Sequence, residues 1–108
     1  MVTESVTVIT RTETGEVDAL GEPIFATTSE VVDGVLVRYR TADERDDLRD
    51  DGIRLTVRME FPKTYNGNLR GATVIVRGDE LLVSGDPRHV IQSLLPWDMH
   101  VDAGVKDG

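Results

Sequence analysis

His89 and His100 are the side chains of this sequence best suited to proton transfer or metal binding. They stand eleven residues apart on either side of Pro96, which is not a metal-ligand spacing. Each reads as a surface or core-rim histidine. Cysteine is absent, so there is no thiol nucleophile, no thiolate site and no disulfide. Ser5, Ser29, Ser84 and Ser93 lie in no nucleophile elbow. Gly67 and Gly71 bracket a loop that neither follows a strand nor opens a helix in the manner of a phosphate cradle. Catalysis needs a nucleophile, base and orienter together, or a paired acid and base. None is legible, so neither an enzyme nor a cofactor is expected.

Acid groups are concentrated in one place. Between Asp43 and Asp51 six acids face two arginines, and Leu48 is the only large apolar side chain. The segment Arg40–Gly52 reads either as a solvated loop, with Thr41 or Asp43 starting one helical turn, or as a functional acidic loop projecting from a β scaffold. The ligand order of a calcium loop, with its central glycine and terminal glutamate, is missing, so no metal is expected.

The whole chain has 108 residues and a formal charge of −8. A protein that holds nucleic acid by neutralising phosphates needs clustered Lys and Arg. This charge argues against that class while permitting a surface that DNA slides past. No apolar run approaches the ~20 residues of a membrane span. The start carries Glu4 and alternating Thr and Val, unlike a signal peptide, so a cytosolic protein, or a particle assembled there, is expected. The length suits one domain with a modest core.

The elements that would position any site are strands. Ile53, Leu55, Val57, Met59 and Phe61 alternate with polar residues, the period of a half-buried strand, and Pro62 stops it. Lys63–Gly71 is a polar connection, Ala72–Val76 a second strand, Arg77–Glu80 a turn and Leu81–Val83 a third strand before Gly85-Asp86-Pro87. These three are expected to form a β-meander at the centre of the fold. Val2–Thr10 reads as a first strand and Glu13–Glu22 as a surface loop. Pro23–Tyr39 reads as one long strand bent at Asp33-Gly34, in preference to a hairpin. Leu95-Pro96 opposes a helix through that point. Trp97 either caps the core or anchors a subunit contact. Met99, Val101 and Ala103 mark a last strand, and 106–108 a flexible tail. The fold class expected is all-β: a small antiparallel β-barrel with a long, mobile acidic loop over 40–52.

The same residues carry a resemblance. Gly34-Val35-Leu36-Val37 precedes the charged loop, and Glu60-Phe61-Pro62 closes the alternating strand. Tyr65-Asn66-Gly67-Asn68-Leu69-Arg70-Gly71, Val74-Ile75-Val76-Arg77-Gly78, Val83-Ser84-Gly85-Asp86-Pro87 and Pro96-Trp97 follow. Over nearly its whole length this succession resembles the head-closure (head-to-tail stopper) proteins of tailed bacteriophages and actinobacterial prophages. The resemblance implies a virion protein at the head–tail junction, assembled in the host cytoplasm into a six-fold or twelve-fold ring of identical copies. That ring would meet the portal and adaptor on one side and the tail terminator or tail tube on the other. Genomic DNA would pass through its channel without specific binding. The loop residues Asp43, Glu44, Arg45, Asp46, Asp47, Leu48, Arg49, Asp50 and Asp51 are then candidates for gating the channel. Tyr65, Arg70 and Trp97 are candidates for the subunit or tail interface.

Two other classes stand beside this one. A tail terminator or tail-completion ring protein would more often pack helices on a sheet, and no segment here has a helical period. An OB-like binding module would need a basic groove with exposed aromatics, which a charge of −8 and five aromatics oppose.

Overall fold

The computed structural model describes residues 2–41, 48–89 and 95–106. Six strands, all antiparallel, follow one another: β1 (Glu4–Val17), β2 (Pro23–Tyr39), β3 (Ile53–Pro62), β4 (Thr73–Val76), β5 (Asp79–Ser84) and β6 (Trp97–Lys106). They pair in the order β1-β2-β3-β6-β5-β4, and β4 returns to β1 through Thr7–Ile75, Val8–Val74 and Ile9–Thr73. The sheet therefore closes on itself, and within the ring its strands have neighbours on both sides.

The interior follows from the period of two. Ile53, Leu55, Val57, Met59 and Phe61 of β3 are all buried, while Arg54, Thr56, Arg58 and Glu60 turn outward. Met99, Val101 and Ala103 line the interior from β6, Val74 and Val76 from β4, and Leu81 and Val83 from β5. No described polar or charged residue is buried.

The expected meander does not form. β3 pairs with β2 and β6, and β4 pairs with β5 and β1. The connection between β3 and β4 is instead drawn across one end of the ring, because it carries apolar side chains of its own. Tyr65, Leu69 and Ala72 are all buried within the core. Turns closed by Tyr65 N–H to the Pro62 carbonyl (3.0 Å) and Ala72 N–H to the Leu69 carbonyl (3.0 Å) fold the loop inward. The β4–β5 turn is only Arg77-Gly78, both at positive φ (51° and 85°), the two-residue turn that suits strand twist.

The bent-strand reading of Pro23–Tyr39 agrees with the structure. Between Val6–Val32 and Glu4–Val35 the register shifts by one residue, and Gly34 sits at φ 74°. The bulge changes the inward phase of β2 from Val32 to Val35, so one strand serves two stretches of interior.

Glu13–Glu22 is not simply a loop. β1 runs on to Val17 and pairs with β2 down to Val17–Pro23, leaving a turn at Asp18–Glu22. The Asp18 carboxylate accepts from the Leu20 and Glu22 amides (2.8 and 3.0 Å), and Gly21 N–H donates to the Asp18 carbonyl (3.0 Å). Periodicity missed this extension because the strands bury nothing: residues 11–31 are all exposed. They form a two-stranded arm projecting from the ring, and the molecule measures 50 × 33 × 26 Å.

Candidate functional site: the arm and the ends of the ring

The arm has two chemically different faces, since directly opposed residues share a face. Thr10, Thr12, Thr28 and Ala26 continue the inward face of Val6 and Val8. The hydroxyls of Thr10 and Thr28 lie 2.6 Å apart, and Thr14 donates to the Ile24 carbonyl (3.1 Å). On the other face the Arg11 guanidinium lies 4.4 Å from the centre of the Phe25 ring. The turn exposes Leu20, 89% accessible, between acidic neighbours.

At the arm's base Tyr65 reaches up from the core. It is only 8% exposed, its ring meets Phe61 edge-on at 5.1 Å, and its hydroxyl donates to Glu30 (3.0 Å). Burial, then the Glu30 carboxylate, pushes its phenol up to about 12. Gly67 must lack a side chain here, because a Cβ would stand 2.1 Å from the Tyr65 hydroxyl. Between arm and loop lies a cleft of about 320 Å³, lined in part by Thr10, Thr12, Glu30, Asn68 and Arg70.

Of the residues singled out for an interface, Tyr65 thus turns its ring into the core and Arg70 is exposed at this cleft. Trp97 is half-buried at the start of β6, and its indole N–H donates to the Gly34 carbonyl (2.8 Å). Tyr65 and Arg70 line the same cleft, and Trp97 is not among its lining residues.

Asp43, Glu44, Arg45, Asp46 and Asp47 lie outside the described residues. The rest of the acidic segment, from Leu48 to Gly52, is tied to the ring. Leu48 bridges to Arg54 and is 51% exposed, and Arg49 N–H donates to the Ile53 carbonyl (2.9 Å). Gly52 N–H closes a turn on the Arg49 carbonyl (2.9 Å), leaving Asp50 exposed. The Asp51 carboxylate accepts from the Ser84 hydroxyl (2.9 Å) and from the amides of Gly85 (3.1 Å) and Ile53 (3.2 Å). Burial works to raise its pKa, but these donors outweigh it and hold the carboxyl below its ordinary value. Lys106 donates to the Asp51 carbonyl (2.8 Å), so it belongs to β6 and not to a loose tail. Arg49 and Arg58 both pair with Asp102 on β6 (3.3 and 2.9 Å), fastening this turn to the outer face of the sheet.

At the β4–β5 turn, Arg77 holds Glu4 (2.6 Å) and lies 5.2 Å from the centre of the Tyr39 ring. That ion pair lowers the Glu4 pKa. Tyr39 donates to Asp79 (2.9 Å), and burial with that carboxylate raises its phenol.

The two histidines stay apart. His100 faces Glu60 across β3 and β6 (3.1 Å). His89 bridges two elements: Nδ1 meets the Asp98 carboxylate and Nε2 lies 2.5 Å from the Tyr65 carbonyl. Both oxygens are acceptors, an arrangement that favours the imidazolium with a proton on each nitrogen, and the His89 pKa is raised by Asp98 and then by the Tyr65 carbonyl. Among the described residues no group of three or more His, Asp or Glu is placed to hold a metal. Sequence reasoning missed Asp98 and Asp102 and read Asp51 as a gating residue, because Ser84, Arg49 and Arg58 lie 33 to 53 residues along the chain from the carboxylates they meet. Comparison with protein-family models and with curated proteins gave no match.

Proposed function

We propose that this chain is a structural ring protein of the phage head–tail junction. Copies of its small β-barrel would close the DNA-filled head below the portal and adaptor and offer a surface to the tail. The observation that carries the reading is the division of the chain. A closed apolar ring occupies one part, while residues 11–31, without a single buried side chain, are held out to solvent. Such an investment of strand in exposed surface suits a protein that works by contact with neighbours. The motif succession from Phe61-Pro62 to Gly85-Asp86-Pro87 supports the same family.

In this reading the acidic segment between β2 and β3 faces the channel and acts as a steric plug, repelling DNA and opening easily. Asp51 is committed to Ser84 and Gly85, so gating falls to Asp43, Glu44, Arg45, Asp46 and Asp47. Changing Asp43, Asp46 and Asp47 to Asn would alter DNA retention or ejection; unchanged retention and ejection would make the loop a subunit contact instead.

The decisive experiment is electron microscopy of lysates from a phage or induced prophage lacking this gene. Separate, normal tails beside heads that packed and lost DNA are the expected result. Particles with intact junctions would refute the reading.

A further inference from the structure

Among the described residues, the arm beyond Ile9 has two free edges, and they are unlike. The β1 edge is guarded by Arg11, Glu13 and Glu16, and Gly15 with the register shift between Glu13 and Val17 breaks its line. The β2 edge is open. Ile24–Val31 reads IFATTSEV, rich in strand formers, with Glu30 its one charge and neither proline nor glycine within it. β3 does not cover this stretch, because it pairs with β2 only from Leu36 onward.

We propose that the β2 edge of one copy binds the same edge of a second copy, forming an antiparallel dimer whose two-fold axis passes through Thr28. The inference concerns the free chain and does not rest on the head-closure reading.

Three observations select this occupant and register. Opposed residues of an antiparallel pair share a face. Centring on Thr28 sets Thr27 against Ser29, Ala26 against Glu30, and Phe25 against Val31. Phe25 and Val31 are 43% and 67% exposed, and both lie on the Arg11 face of the arm. The dimer therefore joins two apolar cross-strand pairs that the single chain leaves in water. Second, strands pair at ~4.8 Å, far less than the 33 and 26 Å widths of the molecule. Arms pointing the same way would drive the two rings together, whereas antiparallel arms carry the rings to opposite ends. Third, a two-stranded ribbon is marginal in water, and pairing converts it into a four-stranded sheet.

Sedimentation of the whole chain from micromolar to submillimolar concentration tests this, because the sequence lacks cysteine and accepts single thiol probes cleanly. The expected result is a dimer in which Thr28→Cys forms a disulfide on mild oxidation. Ala26→Cys, on the same face but off the axis, should cross-link roughly tenfold less. Phe25→Lys with Val31→Lys sets like charges opposite each other twice and weakens the dimer roughly tenfold, while Phe25→Lys with Val31→Glu restores it. A monomer at every concentration, equal cross-linking at both positions, or an assembly in which Thr28→Cys stays unlinked would overturn the proposal.

Discussion

The indole Nε1 of Trp97 donates a 2.8 Å hydrogen bond to the carbonyl of Gly34. The two residues belong to β6 and β2, which are not neighbours, since β3 runs between them. The bond therefore spans β3 and fixes the bulge of β2 against the start of β6. Trp97→Phe keeps most of the ring area and deletes only the donor. It should cost about 1 kcal/mol, the ordinary net value of such a bond. Urea unfolding followed by far-ultraviolet circular dichroism would show a lower midpoint at unchanged slope; an unmoved midpoint would reduce Trp97 to simple packing.

Gly104 makes a sharper demand. A Cβ there would stand 1.9 Å from the Arg54 carbonyl oxygen, where the β3–β6 register shifts between Leu55–Gly104 and Val57–Ala103. The obstacle is backbone on both sides and cannot rotate away. Gly104→Ala should destabilise by several kcal/mol, on the order of 3 or more, and yield mostly insoluble chain. Gly71→Ala meets no atom within 4 Å and strains only its own φ of 72°, so it should remain soluble. Comparable soluble yields of the two variants would contradict the close approach.

What could be read from the sequence divides along one physical line. Where a strand buries every second residue, as at Ile53–Phe61 and Met99–Ala103, the pattern is written in residue types and the element is legible. Glu13–Val17 and Pro23–Glu30 bury nothing, so their pairing left no pattern, and half of the arm was read as loop. Neighbour relations were hidden too. The loop after Pro62 looked like a turn because of its Asn and Gly, yet Tyr65 and Leu69 pull it across the ring and separate β3 from β4. At the candidate sites, acidity was visible at once. Which acid is structural was not, because Ser84 and Gly85 reach Asp51 only after the ring has closed.

His89 makes stability depend on pH in a definite direction. Its pKa is raised above the ordinary value of 6.5 by the Asp98 carboxylate and the Tyr65 carbonyl, so the folded chain holds the imidazole proton more tightly than the unfolded one. The stabilisation is complete below pH 6.5 and is lost as pH rises through the folded value. Asp98→Asn removes the first cause. Thermal midpoints from pH 5.5 to 8.5 should fall more steeply for the native chain than for Asp98→Asn, and proton resonances of the ring should titrate above 6.5. Parallel curves would dismiss the linkage.

Neighbouring aspartates in the acidic segment provide an internal control. Asp50 is exposed in the turn, while Asp51 accepts from Ser84, Gly85 and Ile53. Asp51→Asn keeps one oxygen as acceptor but loses the charge that strengthens these bonds, and it turns an amine toward at least one donor. It should cost about 1–2 kcal/mol, whereas Asp50→Asn should lie within ~0.5 kcal/mol of the native chain. The pKa of Asp51 lies below the ordinary aspartate value of 3.8. Its contribution is therefore present above that pH and fades as pH falls through the folded value. Urea midpoints at pH 7 and pH 3 should separate the two variants at the first pH and narrow the gap between them at the second. Equal midpoints at pH 7 would show that the turn is held by Lys106 and the Arg49–Gly52 bond without the carboxylate, and Asp51 would rejoin the gating candidates.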